Sequence, residues 1–151
     1  MSSTDNVIQC DTVRAVATER TPFSARLDSG LVERLKAAGA REGSSASQVA
    51  ERYLEEGLRA EEFPGIAFRA GPAGRRAGLV GGPDVWEVVR DLRGAESGGA
   101  ADPVGAVAAA SDLSEAQVRL AAAYYAAYPA GIDRRIAEEE QLAERLQGSA
   151  A

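Results

Sequence analysis

The chain has 151 residues, which suits one ordinary domain or two small ones, and its formal net charge is −6 at pH 7. It contains no histidine and a single cysteine, Cys10. The usual general base and the commonest metal ligand are therefore missing, and neither an internal disulfide nor a cysteine zinc site can form. No acid–base pair or metal cluster stands out, so we expect neither an enzyme nor a cofactor.

Hydropathy gives no sign of a membrane protein. No apolar run approaches the ~20 residues of a membrane span. The N-terminus has no basic segment followed by an apolar core, so we expect no signal peptide. These features favour a cytoplasmic protein without a membrane partner.

The chain begins with a polar, aperiodic stretch. Residues 1–20 are predicted to form a mobile arm, with a weak strand at 13–17. Residues 23–27 then alternate between apolar and polar side chains, which predicts a short strand. A single strand cannot satisfy its own backbone groups, and no partner strand follows nearby.

Two capped helices follow this strand. Asp28 or Ser29 can cap a helix at 29–42, which Gly43 ends. Ser45 and Gln48 form a capping box that starts a second helix at 46–61. This unit of one strand and two helices can bury little apolar surface alone, so we expect it to oligomerise.

The second half of the chain reads as a hairpin and further helices. Strand-like runs at 66–69 and 76–80 surround a Gly-Pro turn, which predicts a β-hairpin. Proline at position 83 favours a helix start there, and a glycine-rich loop is predicted at 95–101. Four helices are predicted after the hairpin, at residues 83–93, 103–110, 114–127 and 130–147.

The strand FSARL, the capped first helix, the turn GSSAS and the second helix resemble the ribbon-helix-helix family of dimeric bacterial DNA-binding proteins. The resemblance covers residues 21–61 and implies that two chains form a homodimer by pairing strand 23–27 antiparallel. The two-stranded ribbon would enter the major groove of operator DNA. The resemblance implies base contacts by Pro22, Ser24 and Arg26. It implies phosphate contacts by the backbone amides of Ser45, Ala46 and Ser47, at the start of the second helix.

The alternative for this segment is an edge strand that packs on its own chain, with Arg26 merely solvated. Proline in the ribbon and the small positive charge there keep this alternative open. Residues 22–59 sum to zero charge.

The segments GIAFRAGPAGRRAGLVGGPDVWEVVRDLRG and LSEAQVRLAAAYYAAYPAGID resemble the domain-of-unknown-function family 433, which occurs in antitoxin-like proteins. The resemblance implies a small helical domain at 64–129 with an N-terminal hairpin and three helices similar to a helix-turn-helix. Within it, Arg75 and Arg76 either contact nucleic acid or are solvated at the hairpin tip. Trp86 is expected in the core, and the tyrosines of 124–128 either pack inside the domain or form a partner surface.

The charged tail, residues 130–151, is either a solvated helix or a toxin-binding segment. In the second case its apolar residues would dock in a groove of a toxin, and Arg134 or Arg135 would neutralise the acidic centre of a PIN-type nuclease. These apolar residues are Ile132, Ile136, Leu142 and Leu146.

The sequence therefore predicts a mostly α fold: a ribbon-helix-helix unit, a β-hairpin with three helices, and a C-terminal helix. The function it favours is a DNA-binding regulator that acts as antitoxin and autorepressor of a toxin–antitoxin pair. The alternatives are a stand-alone regulator without a toxin and an oligomerisation module.

Overall fold

The computed structural model describes residues 21–71 and 74–148, and this part of the protein is mostly helical. The predicted arm 1–20, with its weak strand and Cys10, and the last three residues of the tail lie outside the described residues. The elements in chain order are α1 (Ser29–Glu42), α2 (Ala46–Glu62), β1 (Ile66–Gly71), β2 (Gly74–Leu79), α3 (Val85–Ser97), α4 (Pro103–Ala110), α5 (Glu115–Ala127) and α6 (Pro129–Gly148).

The predicted signals at both ends of α1 are confirmed. The Asp28 carboxylate accepts hydrogen bonds from the amides of Gly30 and Leu31, at 2.9 and 3.2 Å. Gly43 ends the helix with φ of 67°, a left-handed conformation that a glycine adopts without steric cost.

The turn between α1 and α2 is unusually tight. The Ser44 amide donates to the Gly39 carbonyl at 2.9 Å. A Cβ atom on Gly39 would lie only 2.4 Å from the Ser44 carbonyl oxygen. A glycine at position 39 therefore lets the end of α1 approach the start of α2, and the two helices pack on each other.

The hairpin pairs its strands antiparallel, with Ile66 opposite Leu79 and Phe68 opposite Ala77. Because alternate residues of a strand share a face, these four side chains lie on one side of the hairpin. All four belong to the hydrophobic core or pack against it. The predicted hairpin is confirmed, and its connecting residues, 72 and 73, are not described.

Helix α3 begins two residues later than predicted. Asp84 has extended backbone angles and caps the helix, and its amide donates to the Glu87 carboxylate at 2.9 Å. Pro83 instead belongs to the connection, because its carbonyl accepts from the Leu79 amide at 2.9 Å. At its other end α3 runs on to Ser97, so most of the predicted loop 95–101 is helical or a short turn.

The core lies between the hairpin and helices α3 to α6. Phe63 and Phe68 both make edge-to-face contacts with Tyr124, at ring-centroid distances of 5.4 and 6.5 Å. Trp86 is buried, as predicted. The buried core residues are Ile66, Ala77, Leu79, Val85, Trp86, Val88, Val89, Leu92, Val107, Val118, Ala121, Tyr124, Ile132 and Ile136.

Residues 21–28 do not form the predicted strand in the single chain. They adopt neither helix nor strand, and every one of them is exposed. The physical reason is the one that the sequence raises: no other strand of the described chain lies beside them to accept their backbone hydrogen bonds.

Candidate nucleic-acid interface

The three predicted base-contacting residues, Pro22, Ser24 and Arg26, all lie in the exposed segment before α1. Arg26 makes no ion pair or hydrogen bond with any described residue. The apolar neighbours are exposed too: the side chain of Phe23 is 85% exposed and that of Leu27 is 47% exposed. The alternative of a strand packed on its own chain is therefore not observed in the part of the chain that the structure describes.

Helix α2 leaves a second group of apolar side chains uncovered. Leu54 and Leu58 lie one helical turn apart and are 60% and 72% exposed. Val49, by contrast, is fully buried at the contact between α1 and α2. The N-terminal region thus has apolar side chains before α1 and on α2 that the single chain does not bury.

The start of α2 carries the predicted phosphate-contacting residues. Ser45 Oγ accepts from the Gln48 amide at 3.2 Å, and Gln48 Oε1 accepts from the Ser45 amide at 2.9 Å. This capping box therefore occupies the Ser45 amide. The amides of Ala46 and Ser47 have no hydrogen-bond acceptor among the described residues, so they are the donors left for an anion.

Unpaired cations also concentrate at this end of the chain. Arg34 and Arg41, both on α1, are exposed and make no ion pair with any described residue. The other cations of α1 and α2 are paired; Lys36 Nζ, for example, lies 2.9 Å from Glu33 Oε1. The sequence interpretation overlooked Arg34 and Arg41, although neither has a carboxylate three or four residues away in the helix.

The two arginines near the hairpin tip are held by carboxylates. Arg75 donates to Glu56 at 2.8 and 2.9 Å, which links the hairpin to α2, and this hydrogen bond raises the pKa of Arg75 above its ordinary value. Arg76 Nε lies 2.7 Å from Asp84 Oδ2. Neither side chain is the freely solvated group that the sequence suggested, since both are only partly exposed.

Helix α6 divides the predicted partner-binding residues into two groups. Ile132 and Ile136 are buried in the core, only 7% and 4% exposed, so they do not form the partner surface that was predicted for them. The first half of α6 must cover α3 and α5, and these isoleucines supply its apolar face. Leu142 and Leu146, one turn apart, remain 44% and 65% exposed.

The two arginines in the first half of α6 differ in the same way. Arg135 is partly buried and pairs with Glu138 at 3.4 Å and with Glu139. Arg134 is exposed and has no partner among the described residues. Of the predicted tail residues, Arg134, Leu142 and Leu146 are therefore the accessible ones.

Comparison of the chain with protein-family models, with curated proteins and with solved structures gives no match. Both family resemblances therefore stay predictions, as does the helix-turn-helix arrangement of α3, α4 and α5. No helix of the described residues combines the length and the apolar character needed to cross a bilayer.

Proposed function

We propose that the protein is a homodimeric DNA-binding regulator that represses its own operator and acts as an antitoxin. The observation that carries this proposal is the segment 21–28. It alternates apolar and polar side chains, yet it is exposed and has no strand partner among the residues that the structure describes. A second copy supplies both the missing hydrogen bonds and the missing apolar cover.

In the proposed dimer, strands 23–27 of two chains pair antiparallel. Phe23 and Leu27 then share one face of the ribbon with Ala25. This face packs over the exposed leucines of α2, Leu54 and Leu58. The opposite face of the ribbon carries Ser24 and Arg26, next to Pro22, and is free to meet the base edges of a major groove.

The charges and free amides of the N-terminal region suit this partner. Arg26 can donate two hydrogen bonds to guanine, which gives ~1–3 kcal/mol of discrimination against another base. The amides of Ala46 and Ser47 can hold a phosphate of the backbone. Arg34 and Arg41 have no carboxylate to neutralise them, so they are available for further phosphate contacts.

A mobility-shift assay with the DNA upstream of the gene tests this proposal. We expect Arg26→Ala to weaken specific binding at least roughly 30-fold, because it removes one bidentate base contact from each of the two chains, about 2–6 kcal/mol in total. The matched control is Arg119→Ala, which removes an exposed arginine of α5 that pairs only with Glu115. Unchanged affinity and sequence preference for Arg26→Ala would refute the ribbon assignment.

For the antitoxin part, we propose that the end of α6 binds a toxin. All residues from Glu140 to Gly148 are exposed, and Leu142 and Leu146 lie on one side of this helical end. Such a pair suits a hydrophobic groove of a partner protein. An acidic partner, such as a PIN-type nuclease, would also meet the unpaired Arg134.

Co-purification with the product of a small overlapping gene, where one exists, tests toxin binding. Truncation after Glu140 removes both exposed leucines but keeps the buried Ile132 and Ile136 in place. We expect the truncated protein to lose the toxin and to keep its DNA affinity. Retention of the toxin by the truncated protein would contradict binding through the end of α6. If no toxin co-purifies with the full chain, the stand-alone regulator is left, and a dimer without DNA binding would leave an oligomerisation module.

A further inference from the structure

A small pocket lined by arginines lies among α2, the hairpin, α3, α5 and α6. Its volume is about 170 Å³. The positively charged side chains around it are Arg59, Arg75, Arg76, Arg134 and Arg135. No aspartate or glutamate lines it, although Glu56 and Asp84, outside the lining, pair with Arg75 and Arg76.

Aromatic rings hold several of these arginines in place. The Arg59 guanidinium lies over the Tyr128 ring, with its Cζ atom 4.2 Å from the ring centroid, and that of Arg135 lies 5.6 Å from the centroid of Trp86. Arg59 also donates to the Tyr124 hydroxyl at 3.4 Å. Because their planes are fixed in this way, the arginines present a preformed set of donors.

The carboxylates of the same chain leave part of this set unused. Arg59 pairs with Glu55 and Arg135 with Glu139, yet the Nε atoms of both arginines are buried without a hydrogen-bond acceptor. The indole Nε1 of Trp86, a residue only 9% exposed, is buried without an acceptor as well. A buried donor that lacks an acceptor costs about 1–3 kcal/mol, so the hydrogen-bonding capacity of these three residues is not fully used within the described chain.

Two further features add positive potential. Arg134 has no partner among the described residues. Gly131, in the first turn of α6, also lines the pocket. This turn begins at Pro129 and follows Tyr128, so no side chain of the described residues caps its amides. The positive end of the helix dipole therefore faces the same space.

We propose that this pocket binds a small phosphate-type oxyanion. Arginine and helix amides are the donors that bind phosphate oxygens in proteins. The cavity, about 170 Å³, is smaller than the roughly 300–1,000 Å³ of a site for a drug-sized ligand and has room for a phosphate group. The source of the group is either free phosphate, including a small phosphomonoester, or a phosphate of a DNA backbone.

Titration of the full chain with inorganic phosphate tests the proposal. Trp86 is the only tryptophan, so its fluorescence reports on the pocket directly, and calorimetry gives the affinity independently. We expect saturable binding that sodium chloride of equal ionic strength does not reproduce. Absence of both a heat signal and an emission change at millimolar phosphate would overturn the proposal.

Two variants assign the binding to this pocket. Arg134→Gln removes an exposed charge that has no partner among the described residues, and Trp86→Phe replaces the indole beside the Arg135 guanidinium with a smaller aromatic ring. We expect each to weaken phosphate binding roughly tenfold by calorimetry. Arg145→Gln is the control, because it removes a charge from the same helix at a residue that does not line the pocket. An equal loss in the control, or no loss in either variant, would overturn the assignment.

Competition with an operator-length duplex distinguishes the two sources. A duplex that displaces inorganic phosphate shows that the pocket holds a backbone phosphate. Simultaneous binding of both shows that it takes a free phosphate group. The Arg26→Ala variant separates this inference from the proposed function, since we expect it to bind phosphate normally whatever its DNA affinity.

Discussion

The N-terminal region, residues 21–62, and the C-terminal region, residues 63–148, use the same local devices with opposite results. Both contain a capping box of Ser and Gln, at Ser45 and at Ser114, and both contain amphipathic helices. The C-terminal region buries most of its large apolar side chains within one chain, with Leu142 and Leu146 among the exceptions, whereas the N-terminal region leaves Phe23 and Leu58 largely exposed. Local signals therefore specify helices in both regions, but only one region carries enough apolar surface to complete its own core.

In the proposed dimer the second copy covers Leu58, so we expect the largest effect on assembly at this residue. Burying a leucine is worth about 1.5–3 kcal/mol, and a symmetric dimer loses this twice, so we expect Leu58→Glu to raise the dimer dissociation constant at least ~100-fold. Analytical ultracentrifugation over a concentration series measures this. Leu146→Glu, at a similarly exposed residue of α6, should leave it unchanged. A wild type that stays monomeric at all concentrations would contradict the prediction.

A matched pair of leucines measures the difference in burial within the monomer. Leu79 is 2% exposed, and we expect Leu79→Ala to lower the free energy of unfolding by about 2–5 kcal/mol. At protein concentrations below the dimer dissociation constant, Leu58→Ala should change the free energy of unfolding by less than about 0.5 kcal/mol. Chemical denaturation checks both values, and equal losses would show that α2 is covered in the monomer.

The C-terminal region also contains a charge cluster around one buried carboxylate, that of Asp84. Arg69 and Arg76 lie directly opposite each other in the hairpin, a repulsive pair, and the buried Asp84 binds both, at 3.0 and 2.7 Å. We expect Asp84→Asn to lower the free energy of unfolding by about 1–3 kcal/mol, because the two arginines lose their counter-ion.

The control for Asp84 is Asp91→Asn. Asp91 pairs with Arg90 where both side chains are half exposed, so its loss should cost less than about 1 kcal/mol. Thermal unfolding of the two variants under one set of conditions compares them. A larger effect at Asp91 than at Asp84 would show that the cluster does not stabilise the hairpin.

The smallest expected effect is a pH dependence at Asp133, where α3, α5 and α6 meet. The hydrogen bond from Arg93 holds the pKa of Asp133 below its ordinary value of 3.8, and the Tyr125 hydroxyl donates to the same carboxylate at 2.9 Å. The Asp133 carboxylate therefore binds a proton more readily in the unfolded chain than in the folded chain. The stabilisation is complete above the ordinary pKa and is lost as the pH falls through the lowered, folded-state value.

We expect Asp133→Asn to reduce the acid dependence of the free energy of unfolding between about pH 2 and 5. Urea denaturation across this range measures the slope. Asp112→Asn, an exposed aspartate without a partner among the described residues, is the control. A slope that is the same in wild type and in Asp133→Asn would show that the Arg93 contact does not favour the ionised carboxylate.

Capping signals and apolar periodicity predicted most of the helices well. The boxes at Ser45 and Ser114 and the glycine stop at position 43 act within four residues, so their outcome depends little on the rest of the chain. The prediction of a helix start at Pro83 was wrong, because Pro83 belongs to the connection after β2. Its carbonyl accepts a hydrogen bond from the Leu79 amide, and the helix begins only after Asp84.

The candidate site was predicted less completely than the helices. The exposed positions of Arg26 and Leu146 follow the sequence interpretation, but the burial of Ile132 and Ile136 does not. All four leucines and isoleucines of α6 fit one apolar pattern, and only contact with α3 and α5 divides them into a buried pair and an exposed pair.

By itself the sequence determined where most of the helices begin and end, with α3 as the exception, because hydrogen bonds between residues three or four apart set those limits. Only the tertiary structure decided which apolar residues are covered and where charges converge. The arginine pocket is the clearest case, since Arg59, Arg76 and Arg134 come from three distant parts of the chain. Burial and charge convergence depend on packing between distant segments, and spacing along one segment carries no information about that packing.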